Sequence, residues 1–286
     1  MQFLEAPGNL RGGALAYFIF ALGWSSLFWT AAAATGQEVS AFPASVLFYL
    51  GGAGPPLAAI ALVQLRELPE QRRDFWLRIV DVRRIQWRWL AAALLVHPAL
   101  VGLAVLLTVV AGAPLPKLGV DAGMLQQPFA LVGLVLFVLL FGPLPEEIGW
   151  RGYALDRLQI RMDALSASLL LGVVWALWHL PLFFIEGTFQ NGLGIGTARF
   201  WLFSFSLVPL SVLITWIYNN TGRSTLSAVL VHFSGNFTGH LIEKTTRISV
   251  LEVVLLTAAA AAVTVAFGAR RLSRSVPPEK SRLEGS

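Results

Sequence analysis

The chain has 286 residues, 56% of them hydrophobic and only 13% charged, with 10 Trp, 19 Phe and a mean hydropathy of +0.68. Such a composition lies outside the soluble range and points to lipid as the main solvent. The net charge of +5 is spread through loops between apolar runs, which suits anionic headgroups and argues against a nucleic-acid partner, while the absence of Cys excludes disulfides, thiolate catalysis and cysteine-based zinc sites.

Residues 13–34 resemble a secretory signal, but the run is too long and too aromatic and only Arg11 precedes it, so it reads as a retained first helix. A bilayer core needs about 20 apolar residues per helix. Runs of that kind centre near residues 24, 54, 101, 136, 175, 209, 233 and 259, which predicts an all-α, multi-pass membrane protein with about eight transmembrane helices. Two runs are imperfect: 46–65 contains GGAGPP, and 224–242 is rich in Ser, Thr and His. Broken or polar helices belong where they face protein or a cavity. With the N-terminus inside, every Lys and Arg except Lys117, Arg199, Lys244 and Arg247 falls on the inner side, so both termini are expected to be cytoplasmic. The expected location is the cytoplasmic membrane of a bacterium, with membrane lipids as partners. Residues 68–90 alternate basic and apolar side chains and predict an amphipathic helix on the inner interface, either as substrate dock or as anchor for the next span. Residues 1–268 form one integral-membrane domain, and 269–286 a basic, polar, disordered tail. No internal repeat, Gly-rich phosphate loop, HExxH pair or GxSxG elbow is present.

Ionisable groups inside a span cost about 2.5–3.5 kcal/mol on insertion scales, which makes each a functional candidate. The stretch GPLPEEIGWRG, residues 142–152, follows an apolar run from Pro128 that is too short to cross by itself. The fourth span is therefore expected to break near 142–146, with Pro145 opening a new helix and Glu146 and Glu147 in its first turn. Glu147 and Arg151 are four apart and form an ion pair on one face; Glu146 points elsewhere and is free for chemistry. The alternative is a helix start with a solvated carboxylate pair and a surface salt bridge.

In WALWHLP, Trp175 precedes His179 by one turn, and Pro181 predicts a kink beside the imidazole. Taken alone, His179 reads as a hydrogen-bonded structural histidine. A turn at Met162 and Asp163, however, leaves Glu146 and His179 equally far along two antiparallel helices, at the same depth of about 24 Å. In VHFSGNFTGH, residues 231–240, His232, Asn236 and His240 share one helical stripe. His232 and Asn236 could donate to a developing oxyanion, or the stripe could glue helices together. His232 lies only about 12 Å along its helix from Arg223, so it reaches the depth of the other pair only if residues 219–225 sit below the surface. His240 and Glu243 are read as structural or near the outer interface, and His97, before Pro98, has no assignable partner.

Glu146, Glu147 and Arg151 fit EExxxR, His179 with an aromatic at minus four fits (F/W)xxxH, and His232 with Asn236 fits HxxxN. In this order on successive helices the motifs resemble the CAAX-protease and bacteriocin-processing family of intramembrane endopeptidases, which includes the type II CAAX prenyl protease. The resemblance implies peptide-bond hydrolysis by water activated by Glu146 and His179, with His232 and Asn236 stabilising the oxyanion and Glu147, Arg151 and Trp175 in support. It also implies a peptide or lipidated-peptide substrate, prenylated CAAX-type tails among them. A metal-free glutamate mechanism without cofactor is favoured; the zinc alternative would draw on Glu146, His179 and His232. The rival reading is a non-enzymatic membrane protein, a transporter or a partner-binding or immunity factor, using the same buried polar groups.

Overall fold

A computed structural model describes residues 13–120 and 127–274. Its elements are α1 (Gly13–Ala34), α2 (Ala44–Gly52), α3 (Gly54–Arg66), α4 (Pro69–Val80), α5 (Trp87–Val110), α6 (Pro128–Leu140), α7 (Pro143–Gly149), α8 (Leu155–Gln159), α9 (Ala164–Trp178), α10 (Phe189–Leu193), α11 (Ala198–Asn220), α12 (Thr225–Leu241) and α13 (Thr246–Phe267). A π-helical turn, Trp150–Ala154, joins α7 to α8, and a tight 3-10 turn, Leu180–Phe184, follows α9. Each of the eight expected runs is helical. Among the described residues six helices are long and apolar enough to cross a membrane, or seven when the bent pair α2–α3 counts as one span. The eighth run is α12, which at 17 residues is short, polar and largely buried by its neighbours. The all-α multi-pass architecture is as the sequence predicts.

Local chemistry sets the element starts. Asp163, Thr188, Thr197, Ser224 and Thr245 each accept a backbone N–H at the head of α9 to α13. Proline occupies the first turn of α3, α4, α6 and α7, where its missing N–H costs nothing. The second span bends by 45° between Gly52 and Gly54. Three side chains of α1 take up carbonyls around that bend: Trp24 Nε1 donates to Leu50 O (2.8 Å), Ser25 Oγ to Gly51 O (2.7 Å) and Trp29 Nε1 to Phe48 O (2.9 Å). Irregular backbone is tolerable at membrane depth on just this condition.

The amphipathic segment differs from the expectation of a helix lying on lipid. Its helical part, α4, turns Phe75, Arg78 and Ile79 into the protein. Arg78 donates to Asp156 (2.7 Å), the Tyr218 hydroxyl (2.7 Å) and Gly152 O (3.0 Å), and pairs with Asp74 (3.2 Å). Asp156 also takes Arg223, so α4, α8 and the turn before α12 share one charged knot. The lipid-facing alternation survives on the other side, where Trp76, Val80, Val82 and Trp87 stay exposed. A sequence pattern reports which side chains alternate, but not that Asp156 waits for one of the arginines.

The two described ends meet the same face: Gly13 abuts Tyr153 and Arg157, and the carbonyls of Ala269 and Arg270 accept from Leu165 and Ala164. The first residues of the expected tail dock as well, with Leu272 buried and Asn220 Nδ2 donating to its carbonyl at 2.8 Å. Residues 275–286 of that tail, and Arg11, lie outside the described residues. Between α1 and α9 an aromatic column holds the π-helical turn in place, with ring centroids 5.7 Å apart for Tyr17–Trp150, 5.7 Å for Trp150–Trp178 and 4.6 Å for Trp29–Trp178. Gly149 permits the close approach, since a Cβ there would sit 2.3 Å from the Tyr17 hydroxyl and 2.7 Å from Pro55 O. In lipid such close packing, rather than water exclusion, holds helices together.

Candidate active site

The interruption of the fourth span is a local one. Helix α6 ends at Leu140, Gly142 precedes α7, and the path from Pro128 to Gln159 still runs for 32 residues. The new helix begins at Pro143, two residues earlier than the sequence suggests. Pro145 then falls at the third helical position, inside the first turn, where no intrahelical N–H bond is lost. Glu146 and Glu147 consequently lie within a membrane-length path and are buried, which discards the solvated carboxylate pair.

The adjacent glutamates have different surroundings. Glu147 and Arg151 are both 0% exposed, and Arg151 Nη1 donates to Glu147 Oε1 at 2.9 Å and Oε2 at 3.0 Å. Arg151 Nη2 reaches Ser211 Oγ on α11 (2.9 Å), and its guanidinium lies 5.3 Å from the Trp175 ring centroid. The remaining acceptor capacity of Glu147 goes to His232, whose Nδ1 stands 3.0 Å from Oε1. Glu146, about 100° further round the helix, accepts instead from Trp175 Nε1 at 2.6 Å.

Trp175 holds a second group through its backbone. Its carbonyl accepts from His179 Nδ1 at 2.8 Å, which fixes the Nδ1–H tautomer and leaves the Nε2 lone pair free. The ring of His179 is wedged edge-on between Trp178 (4.9 Å) and Phe203 (5.3 Å). The α-helix ends at Trp178 and continues as the 3-10 turn, a sharper change than the expected kink. Pro181 cannot supply the next i→i−4 bond, and the chain tightens to i→i−3. The indole of Trp175 neighbours both the acid and the imidazole, bonded to Glu146 and with its ring centroid 5.9 Å from that of His179.

Helix α12 supplies the third wall. The His232 ring packs edge-on against Trp175 at 4.9 Å, and Asn236 Nδ2 lies 3.3 Å from His232 Nε2. With Nδ1–H given to Glu147, Nε2 is the acceptor and Asn236 the donor, so one of the two amide hydrogens of Asn236 remains unused. Thr221, Ser224, Thr225 and Ser227 at the start of α12 are buried in protein, and His232 meets Glu147 and Trp175. Asn236 is the exposed member of the set; Glu146, Trp175, His179 and His232 are buried.

Among the described residues no three His, Asp or Glu side chains converge on a metal-binding position. Within the set Glu146, His179 and His232, Glu146 Oε2 meets Trp175 and His232 Nδ1 meets Glu147, so a metal there would draw on the other carboxylate oxygen and on the two Nε2 atoms. Sequence reasoning treated Trp175 as packing and missed its N–H; the only signal was an indole one turn before a histidine. It also missed Ser211, one of several hydroxyls along α11 and two residues after Pro209. His97, left without a partner, meets Glu252 on α13 at 2.9 Å, away from this set. His240 is exposed near the end of α12.

Comparison with known proteins bears on the same stretch. Residues 128–238, from α6 through Asn236, match the family described as type II CAAX prenyl endopeptidase Rce1-like. The chain is 30% identical over 211 residues to CAAX prenyl protease 2 of Methanococcus maripaludis, covering 73% of this chain and 77% of that protein.

Proposed function

The chain belongs to the Rce1-like type II CAAX prenyl endopeptidase family, a family of membrane proteases, and on that premise we propose that it hydrolyses a peptide bond in prenylated CAAX-type C-terminal tails. Water is the nucleophile. Ionised Glu146 takes its proton as the oxygen attacks the scissile carbonyl carbon, and the same proton then passes to the leaving amine as the C–N bond breaks. His179 Nε2 accepts the water's second hydrogen and aims its lone pair. The unused N–H of Asn236 donates to the developing oxyanion, and His232, anchored by Glu147, orients that amide through Nε2. Glu147 and Arg151 neutralise each other and hold α7 to α11 and α12.

The observation that carries this reading is the double use of Trp175: its side chain binds Glu146 at 2.6 Å and its carbonyl binds His179 at 2.8 Å. One residue thereby sets the relation between two groups that lie on different helices. The test is cleavage by the detergent-purified chain of a farnesylated CAAX peptide and of the same peptide without the lipid. The expected result is hydrolysis of the lipidated form, lowered about 10²- to 10³-fold by Asn236→Ala and abolished by His179→Ala. Absence of cleavage of both peptides contradicts the reading and leaves a carrier or partner-binding protein, whereas His179→Ala at the wild-type rate removes His179 from the mechanism.

A further inference from the structure

We propose that His97, held by Glu252 and Lys244, is a positioning residue for Asn236; the inference rests on the functional reading above. His97 sits mid-span on α5 and is buried, in a part of the bundle the proposed chemistry does not use. Its Nε2 lies 2.9 Å from Glu252 Oε1 on α13, and the same oxygen receives Lys244 Nζ at 2.7 Å. The opposite ring nitrogen, Nδ1, is buried without a hydrogen-bond partner. It faces the backbone of α12 at Gly235: a Cβ built there would fall 2.3 Å from Nδ1 and 2.7 Å from Cε1. A side chain at 235 and the imidazole cannot share that space.

Gly235 immediately precedes Asn236. One residue earlier, Ser234 Oγ shares its hydrogen between Val231 O (2.8 Å) and Ala93 O (3.1 Å), the latter one turn before His97 on the same face of α5. The back of α12 is thus seated on α5 by a hydroxyl and by an imidazole edge. Its front carries Asn236, whose Nδ2 meets His232 Nε2 at 3.3 Å. The ring of His97 cannot retreat, because Glu252 and Lys244 fix its far side. It acts as a stop that sets how far α12 stands from α5, and with it where the free Asn236 N–H points. A buried ring nitrogen left unpaired has no evident use except this contact.

The test is steady-state cleavage of the farnesylated peptide by the full chain, with folding checked by thermal unfolding. His97→Ala is expected to lower kcat about tenfold to a hundredfold with KM within about twofold, and His97→Gln, which can still donate to Glu252, to recover most of the loss. Gly235→Ala is expected to lower kcat, and His97→Ala in the same chain to relieve that loss by vacating the space. In an Asn236→Ala background His97→Ala should have no further effect, because no amide is left to aim. The same fold-loss in both backgrounds, or a loss in KM alone, overturns the positioning role while leaving the functional reading intact. A wild-type kcat for Asn236→Ala overturns both. Should His97→Ala not fold, Gly235→Ala and His97→Gln still decide the matter, since wild-type kcat in Gly235→Ala overturns the proposal.

Discussion

Two buried histidine–glutamate pairs meet at α12 and are built from the same kinds of group. In one, Glu147 binds His232 and is neutralised by Arg151; in the other, Glu252 binds His97 and is neutralised by Lys244. The difference lies at the free ring nitrogen. His232 presents Nε2 to a polar amide beside a second acid, whereas His97 presents Nδ1 to bare backbone. The same pair of groups can therefore serve chemistry in one place and spacing in another, and what faces the outer nitrogen decides which.

The comparison can be broken at several points. The largest effect is expected from Arg151→Met, which strands Glu147 at zero exposure. Removing one partner of a buried pair costs about 3–5 kcal/mol, read as lost thermal stability in detergent together with lost cleavage. An unchanged unfolding temperature would mean that water reaches the glutamate. Trp175→Phe keeps the ring against His232 and Arg151 but removes the N–H to Glu146. Loss of a hydrogen bond to a charged group, about 1.5–3 kcal/mol, should lower kcat/KM about tenfold to a hundredfold, with stability changed little. A rate equal to wild type would show that the indole N–H does not set Glu146.

Lys244→Met probes the second pair more gently, because Lys244 is 22% exposed and solvent already screens it. A loss of about 1 kcal/mol or less is expected, and a loss like that of Arg151→Met would show the two pairs to be equally buried in practice. Asp163→Ala serves as a reference outside both pairs and should cost about 1 kcal/mol at neutral pH. Hydrogen bonds from the Ser166 backbone and hydroxyl hold the Asp163 carboxyl below its ordinary range. A depressed carboxyl pKa contributes stability above the unfolded value near about 4 and loses it as the pH falls through the folded one. The difference between wild type and Asp163→Ala should therefore shrink with acidification, as followed by thermal unfolding across pH.

Much of the site was legible because its constraints are local. Spacing alone pairs Glu147 with Arg151, turns Glu146 aside, and puts His179 level with it across one helical hairpin. Partners that come from distant helices were not legible: Ser211 for Arg151, Glu252 for His97 and Asp156 for Arg78 each depend on packing that no periodicity encodes. The helix start at Pro143 rather than Pro145 was ambiguous in principle, since both prolines fit a first turn. Burial of the α11–α12 turn was readable only as a requirement, forced by the depth of His232. Seven of the eight runs were clear from length and hydropathy; α12 is shorter and more polar, and survives because its neighbours cover its polar face.

The central claim is that Glu146 is the base, and it is tested most directly by the single-turnover rate of Glu146→Gln on the farnesylated peptide. The account predicts a rate lowered about 10²- to 10⁴-fold, with the unfolding temperature close to that of wild type because the amide oxygen still accepts from Trp175. A Glu146→Gln chain that cleaves at the wild-type rate would contradict it.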